Sequence, residues 1–138
     1  MNQSIVYFEN AGKINTEATL KIAKARALEL GIKKVVLAST HGYTALKAAE
    51  IFAGTGIELI SFSITNSFDE LGWTMTKEER TRVEAAGVKV LTSLHAFADG
   101  IAEGFFGTNT PGAIVANTLY WFSQGTKVAV EISIMAME

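Results

Sequence analysis

Residues 35–46 constrain the fold of this chain more than any other segment. An apolar run ends abruptly at Ser39, a short polar turn containing Gly42 follows, and Thr44 begins an alanine-rich stretch. This order predicts a buried parallel strand, a tight turn and the start of a helix, as in α/β proteins. Such a turn gathers backbone N–H groups at the positive end of the helix dipole, which favours a bound phosphate or carboxylate.

The same turn residues also fit a plain helix cap, because Ser and Thr are common at the start of any such helix. The two familiar phosphate-binding motifs, Gly-x-x-x-x-Gly-Lys-Ser/Thr and Gly-x-Gly-x-x-Gly, are absent from the sequence. Both interpretations therefore remain open, an anion site and a structural cap. The candidate ligand contacts in this turn are Ser39, Thr40, His41, Gly42 and Thr44.

Composition narrows the class of protein. The chain has 138 residues, of which 49% are hydrophobic and 19% charged, which predicts one folded domain over residues 1–138. The net charge of −2 argues against nucleic acid as a partner. Cysteine is absent and two histidines alone do not make a metal site, so no metal site is expected. Without a signal peptide or a long apolar run, we expect a cytoplasmic protein that does not bind membranes.

Alternating helical and strand patterns run through most of the chain. Leu20, Ala23, Ala27 and Leu30 recur at helical spacing, which predicts a helix that begins at Asn15 or Thr16, faces the core with these four residues and ends at Gly31. Apolar runs predict strands at residues 34–38, 57–62 and 88–91, with a possible N-terminal strand at 5–8. Helices are expected at residues 44–53, 76–87 and 114–122, a polar loop at 63–73, and a loop with a short helix at 93–112. The winding is therefore that of a parallel sheet covered by helices.

The residues after position 125 are ambiguous. Their valines and isoleucines favour a strand, whereas Val128, Ile132 and Met135 share one face of a helix. Glu131 lies within this apolar stretch and needs a partner such as Arg26 or Lys127, or a ligand, because Glu is rarely buried unpaired.

Several stretches of the chain resemble the pyruvate kinase C-terminal-domain-like family, whose stand-alone members are small archaeal and bacterial proteins of unknown physiological role. The similar residues are 15–17, 27–32, 38–45, 91–92, 95–96, 125–132 and 135–136, so the resemblance covers nearly the whole chain in order. It implies a three-layer α/β/α fold around a mostly parallel sheet, with a helix at residues 127–137.

The resemblance also implies a ligand. In pyruvate kinase the corresponding Ser/Thr-Gly turn holds a phosphate of the sugar-bisphosphate activator, and here that turn is residues 39–44. The stand-alone members resemble binders of a phosphate-bearing small molecule, with flavin mononucleotide (FMN) the leading candidate. Pyruvate kinase activity is not expected, because the catalytic barrel of that enzyme is absent.

The sequence departs from this family at its C-terminus. The family pattern continues beyond Met135 and Ala136 with another Gly-rich turn and the last two strands. Without those strands, the strand at Val35 would lie at a sheet edge, where an apolar strand can pair with another chain. The alternatives are a truncated sequence, a partner chain that completes the sheet, or a variant with a smaller site. We expect a homo-oligomer.

Polar residues after the second and third predicted strands could contact the same ligand. Thr65 and Asn66 follow the second strand and His95 follows the third, and the carboxyl ends of parallel strands meet at one edge of the sheet. A turn explains Thr65 and Asn66 equally well. Phe68 and Trp73 could stack on a planar ring or pack against protein.

Three functions remain open on the sequence. The first is a binding domain that holds a phosphorylated ligand, FMN in the first instance. The second is an enzyme that uses this ligand, with His41 or His95 as proton carrier. The third is a regulatory or assembly module with an empty site. Catalytic residues stay unassigned, because no nucleophile with a base and an orienting group is visible.

Overall fold

Three parallel strands form the centre of the protein. The computed structural model describes residues 5–97, 101–107 and 110–137. The strands are β1 (Lys34–Ala38), β2 (Glu58–Ser63) and β3 (Lys89–Thr92), and β2 lies between the other two. Val36 pairs with Ile60 across the first pair of strands, and Ser61 pairs with Val90 across the second.

Helices connect and follow the strands. Within the described residues they are α1 (Thr16–Glu29), α2 (Tyr43–Phe52), α3 (Lys77–Ala85), α4 (Ile101–Phe106), α5 (Pro111–Tyr120) and α6 (Gln124–Met135). Short 3-10 helices span Lys13–Asn15 and Asn66–Leu71. None of these helices combines the length and the apolar character that crossing a bilayer requires.

Local sequence signals explain where several helices begin. The hydroxyl of Thr76 accepts the N–H of Glu79, whose carboxylate accepts the N–H of Thr76 in return, so both donors at the start of α3 are satisfied. The hydroxyls of Thr110 and Ser123 cap α5 and α6 by accepting the N–H groups of Ala113 and Thr126.

Helices pack on both faces of the sheet. Leu37 and Leu59 point to one face, where they join a core formed with α1, α2 and α3. Side chains at alternate positions point to the opposite face, because neighbouring residues of a strand alternate sides. There Phe62 packs against Ile132 and Met135 of α6. The protein is therefore an α/β fold with its sheet covered on both faces.

The two edges of the sheet differ. The Arg80 guanidinium donates to the carbonyl oxygen of Val90, which covers the outer edge of β3. β1 lies at the other edge and pairs with β2 alone among the described strands, as expected for the strand at Val35. An open edge of this kind can accept a further strand.

Most predicted elements are confirmed, including the three central strands and the helical interpretation of the residues after position 125. The polar loop after β2 contains the 3-10 helix Asn66–Leu71, and the last-but-one helix begins at Pro111, ahead of the predicted start. Residues 98–100 and 108–109, which belong to the predicted loop before it, lie outside the described residues.

Two predictions were wrong. Residues 5–8 form no strand: their side chains are exposed, and none of the described strands supplies backbone partners. On α1, Leu20 and Ala27 are buried as predicted, but Ala23 and Leu30 are exposed. The reason is that α1 packs mainly on α2, where the Lys24 ammonium reaches the carbonyl oxygen of Ile51 at 2.7 Å.

The start of α2 depends on the absence of a side chain at Gly42. This residue has φ +85°, and an added Cβ would lie 2.6 Å from Cγ2 of the buried Val83. Gly31 has a similar φ of +66° but open space around it. We expect Gly31→Ala to lower the free energy of unfolding by roughly 1–2 kcal/mol through backbone strain. Gly42→Ala should lose at least about 1 kcal/mol more through overpacking.

Urea unfolding of both variants measures this difference. Equal losses would contradict the predicted clash, and combining Gly42→Ala with Val83→Ala should give less than the sum of the two single losses.

Candidate functional site

A cleft opens where β1 and β2 end. Its volume is about 460 Å³, and it lies between the carboxyl ends of the strands and helix α6. Ligands of parallel α/β proteins commonly bind at this end of the sheet. The side chains that line it include Thr40, Phe62, Ser63, Phe68, Trp73, His95, Tyr120, Lys127, Glu131 and Met135.

The candidate residues in the turn after β1 have different structural roles. Ser39 is buried, and its hydroxyl accepts the N–H of Ala45 at 3.3 Å, so it caps α2. Thr40 is exposed and lines the cleft. The N–H groups of Tyr43 and Thr44 donate to no acceptor among the described residues, as expected for the first turn of a helix.

His41 points away from the cleft toward α3. Its Nδ1 lies 3.2 Å from Oε2 of Glu79, the residue that completes the cap of that helix. The N–H of Thr76 and, second, the hydrogen bond with His41 hold the pKa of Glu79 below its ordinary value. His41 therefore joins the starts of α2 and α3.

The candidates after β2 and β3 are separated as well. Thr65 is buried and its carbonyl accepts the N–H of Phe68, while Asn66 is exposed at the start of the 3-10 helix. Neither residue lines the cleft. His95 does line it, and its ring lies 6.0 Å from that of Phe68. Of the eight candidate ligand contacts, Thr40 and His95 thus share the cleft.

An aromatic pair forms part of the cleft wall. The rings of Phe68 and Trp73 are stacked, with centroids 5.6 Å apart and planes 7° apart. Half of the Trp73 surface remains exposed. Flat apolar rings at a cleft mouth can stack on a planar ligand or pack against protein, and this geometry is compatible with both.

A buried ion pair lies in the wall that α6 supplies. Lys127 donates to Oε2 of Glu131, and the Phe97 N–H donates to Oε1 at 3.2 Å. The side chains of the pair are 8% and 4% exposed. Of the two partners considered for Glu131, Lys127 is thus the observed one, while Arg26 pairs with Glu29.

Lys127 was not among the sequence candidates for ligand contact. The available signal was a lysine four residues before a glutamate in an apolar helix, which indicates a pair but not its place in a cleft. Within the described residues, no group of three His, Asp or Glu side chains is close enough to hold a metal ion. No protein-family model matches the chain.

The lowered pKa of Glu79 makes part of the stability dependent on pH. A depressed carboxyl pKa stabilises the fold above the unfolded value of 4.5, and this contribution is lost as the pH falls through the folded value. We therefore expect Glu79→Gln to lower the free energy of unfolding at neutral pH and to lower it by less as the pH falls below 4.5. Urea unfolding between pH 3 and 7 tests this, with the exposed Glu78→Gln as the matched control. A loss that does not shrink in acid would contradict it.

The free energy of unfolding should fall much further when one partner of the Lys127–Glu131 pair is removed than when both are removed. Lys127→Met leaves a buried carboxylate without its cation, which costs roughly 3–5 kcal/mol of unfolding free energy. Adding Glu131→Gln removes that charge, so the double variant should recover much of the loss. Chemical denaturation measures both, and Lys21→Met in an exposed pair with Glu17 is the control. A double variant no more stable than Lys127→Met would contradict the expectation.

Proposed function

We propose that the chain is a binding domain for a phosphorylated planar ligand, with FMN the first candidate. The observation that carries this proposal is that Thr40, the Phe68–Trp73 pair, His95 and Lys127 line one cleft at the carboxyl ends of the strands. Its volume of about 460 Å³ is typical of small-molecule sites.

The phosphate would bind at the Thr40 end of the cleft. Thr40 precedes α2, whose first N–H groups have no acceptor among the described residues. These amides, the Thr40 hydroxyl and the helix dipole together suit a phosphate. Two further residues shape the turn: Ser39 caps α2, and Gly42 supplies a left-handed backbone conformation.

The ring would bind nearer the aromatic pair. A flat heterocycle can stack on Trp73, and His95 and Lys127 offer polar contacts around it. This donor set fits FMN, which when bound supplies electron and hydride transfer chemistry. The proposal agrees with the resemblance to the pyruvate kinase C-terminal-domain-like family, and the open edge of β1 agrees with a homo-oligomer.

A flavin-dependent enzyme is the second candidate function. His95 lines the cleft, whereas His41 is turned toward Glu79, so His95 is the better proton carrier of the two. Reduction of bound flavin by a reductant, followed by transfer to an acceptor, would separate this function from binding alone.

Loss of the Thr40 hydroxyl tests the phosphate end. Thr40→Val should weaken FMN binding at least about 10-fold, because hydrogen bonds to charged groups contribute roughly 1.5–3 kcal/mol. Thr44→Val should also weaken FMN binding, because Thr44 lies in the first turn of α2, where the same anion site is proposed. Riboflavin, which lacks the phosphate, should bind both variants as it binds the unaltered chain. Quenching of flavin fluorescence measures each affinity.

Thr19→Val, on the exposed side of α1, is the matched control and should change neither affinity. FMN affinity that is the same in Thr40→Val and Thr44→Val as in the unaltered chain would refute the phosphate site. An unaltered chain that binds neither FMN nor inorganic phosphate would favour the module with an empty site.

A further inference from the structure

The Lys127 ammonium has hydrogen-bonding capacity that the described residues do not use. An ammonium carries three N–H donors, and Glu131 accepts one of them. The Tyr120 ring lies 5.6 Å from Nζ, and no other acceptor for Nζ is found among the described residues. Lys127 is 7% exposed and lines the cleft. Donors left unpaired at such a buried position are costly, so a ligand acceptor would be favoured there.

Glu131 determines which acceptor fits. Its two oxygens are held by Lys127 and by the Phe97 N–H, so the carboxylate is fixed in place and neutralises the ammonium. A phosphate or carboxylate beside this pair would meet the Glu131 charge where little water screens it. A carbonyl oxygen accepts from Lys127 without bringing a second negative charge.

The aromatic pair limits the shape of the same part of the ligand. Phe68 and Trp73 stack on each other in the cleft that Lys127 lines. The outer face of such a pair can stack on a flat ring of a ligand.

On the basis of the proposed phosphate site, we infer that Lys127 binds a neutral ring carbonyl of the ligand. The cleft then selects a molecule with one phosphate and a planar oxo-heterocycle, such as a flavin or an oxo-pyrimidine nucleotide, over a sugar bisphosphate. Glu131 acts as the positioning residue that holds the ammonium and excludes a second anion.

Binding of four probes to the unaltered chain and to one double variant tests the inference. Lys127→Met/Glu131→Gln removes the donors and the buried charge together, and circular dichroism checks that it folds. FMN and riboflavin should each bind it about 10-fold more weakly, since both carry the ring, whereas inorganic phosphate should change less than about 2-fold. The unaltered chain should prefer FMN to a hexose bisphosphate. Lys21→Met/Glu17→Gln, an exposed pair with the same spacing, is the control and should change nothing.

Infrared difference spectroscopy of flavin bound to the unaltered chain is the second measurement and needs no variant. A ring carbonyl stretch at lower frequency than in free flavin is expected, because a charged donor weakens that bond. An unshifted stretch would overturn the inference.

The outcomes separate the inference from the proposed function. If the double variant binds riboflavin normally while Thr40→Val still weakens FMN, the carbonyl contact is refuted and the phosphate site stands. Preference for the hexose bisphosphate also refutes the inference alone. Failure of the unaltered chain to bind any of the four probes refutes both.

Discussion

The need to cover the second face of a parallel sheet governs this structure. Alternating side chains on β1 and β2 make both faces apolar, and α1 to α3 cover one of them. Helix α6 covers the other by packing Ile132 and Met135 against Phe62. Burying an aliphatic or aromatic side chain of this size is worth about 1.5–3 kcal/mol. The same packing creates the wall of the cleft, so the candidate site exists because α6 docks where it does.

Much of the fold could be predicted because its signals are local. Apolar runs bounded by glycines mark the three strands, and the Thr76–Glu79 cap marks the start of α3. Long-range contacts decide the rest. Residues 5–8 have strand-like composition but pair with none of the described strands. The residues of α6 fit a strand by composition and a helix by spacing, and only their burial against Phe62 separates the two.

Part of the candidate site could also be predicted from the sequence, because some of its signals are local. The polar turn after β1 stands out in the sequence, and Thr40 lines the cleft. Nothing local indicates that His41 turns to Glu79, which is 38 positions away. The i,i+4 spacing of Lys127 and Glu131 suggests a pair, but its position opposite the strand ends depends on how α6 crosses the sheet. Tertiary packing therefore decides which polar residues can meet a ligand.

The hydrogen bond from the Phe97 amide to Glu131 has a consequence for motion. It ties the segment after β3 to α6, since one carboxylate holds both that amide and Lys127. Moving either element away exposes a buried charge that has lost a partner, so the two should open together as one cooperative unit. This one hydrogen-bonded carboxylate therefore controls the opening of the cleft wall. Hydrogen exchange at the Phe97 amide reports the free energy of this opening, and an enclosed ligand can leave through that side only while the wall is open.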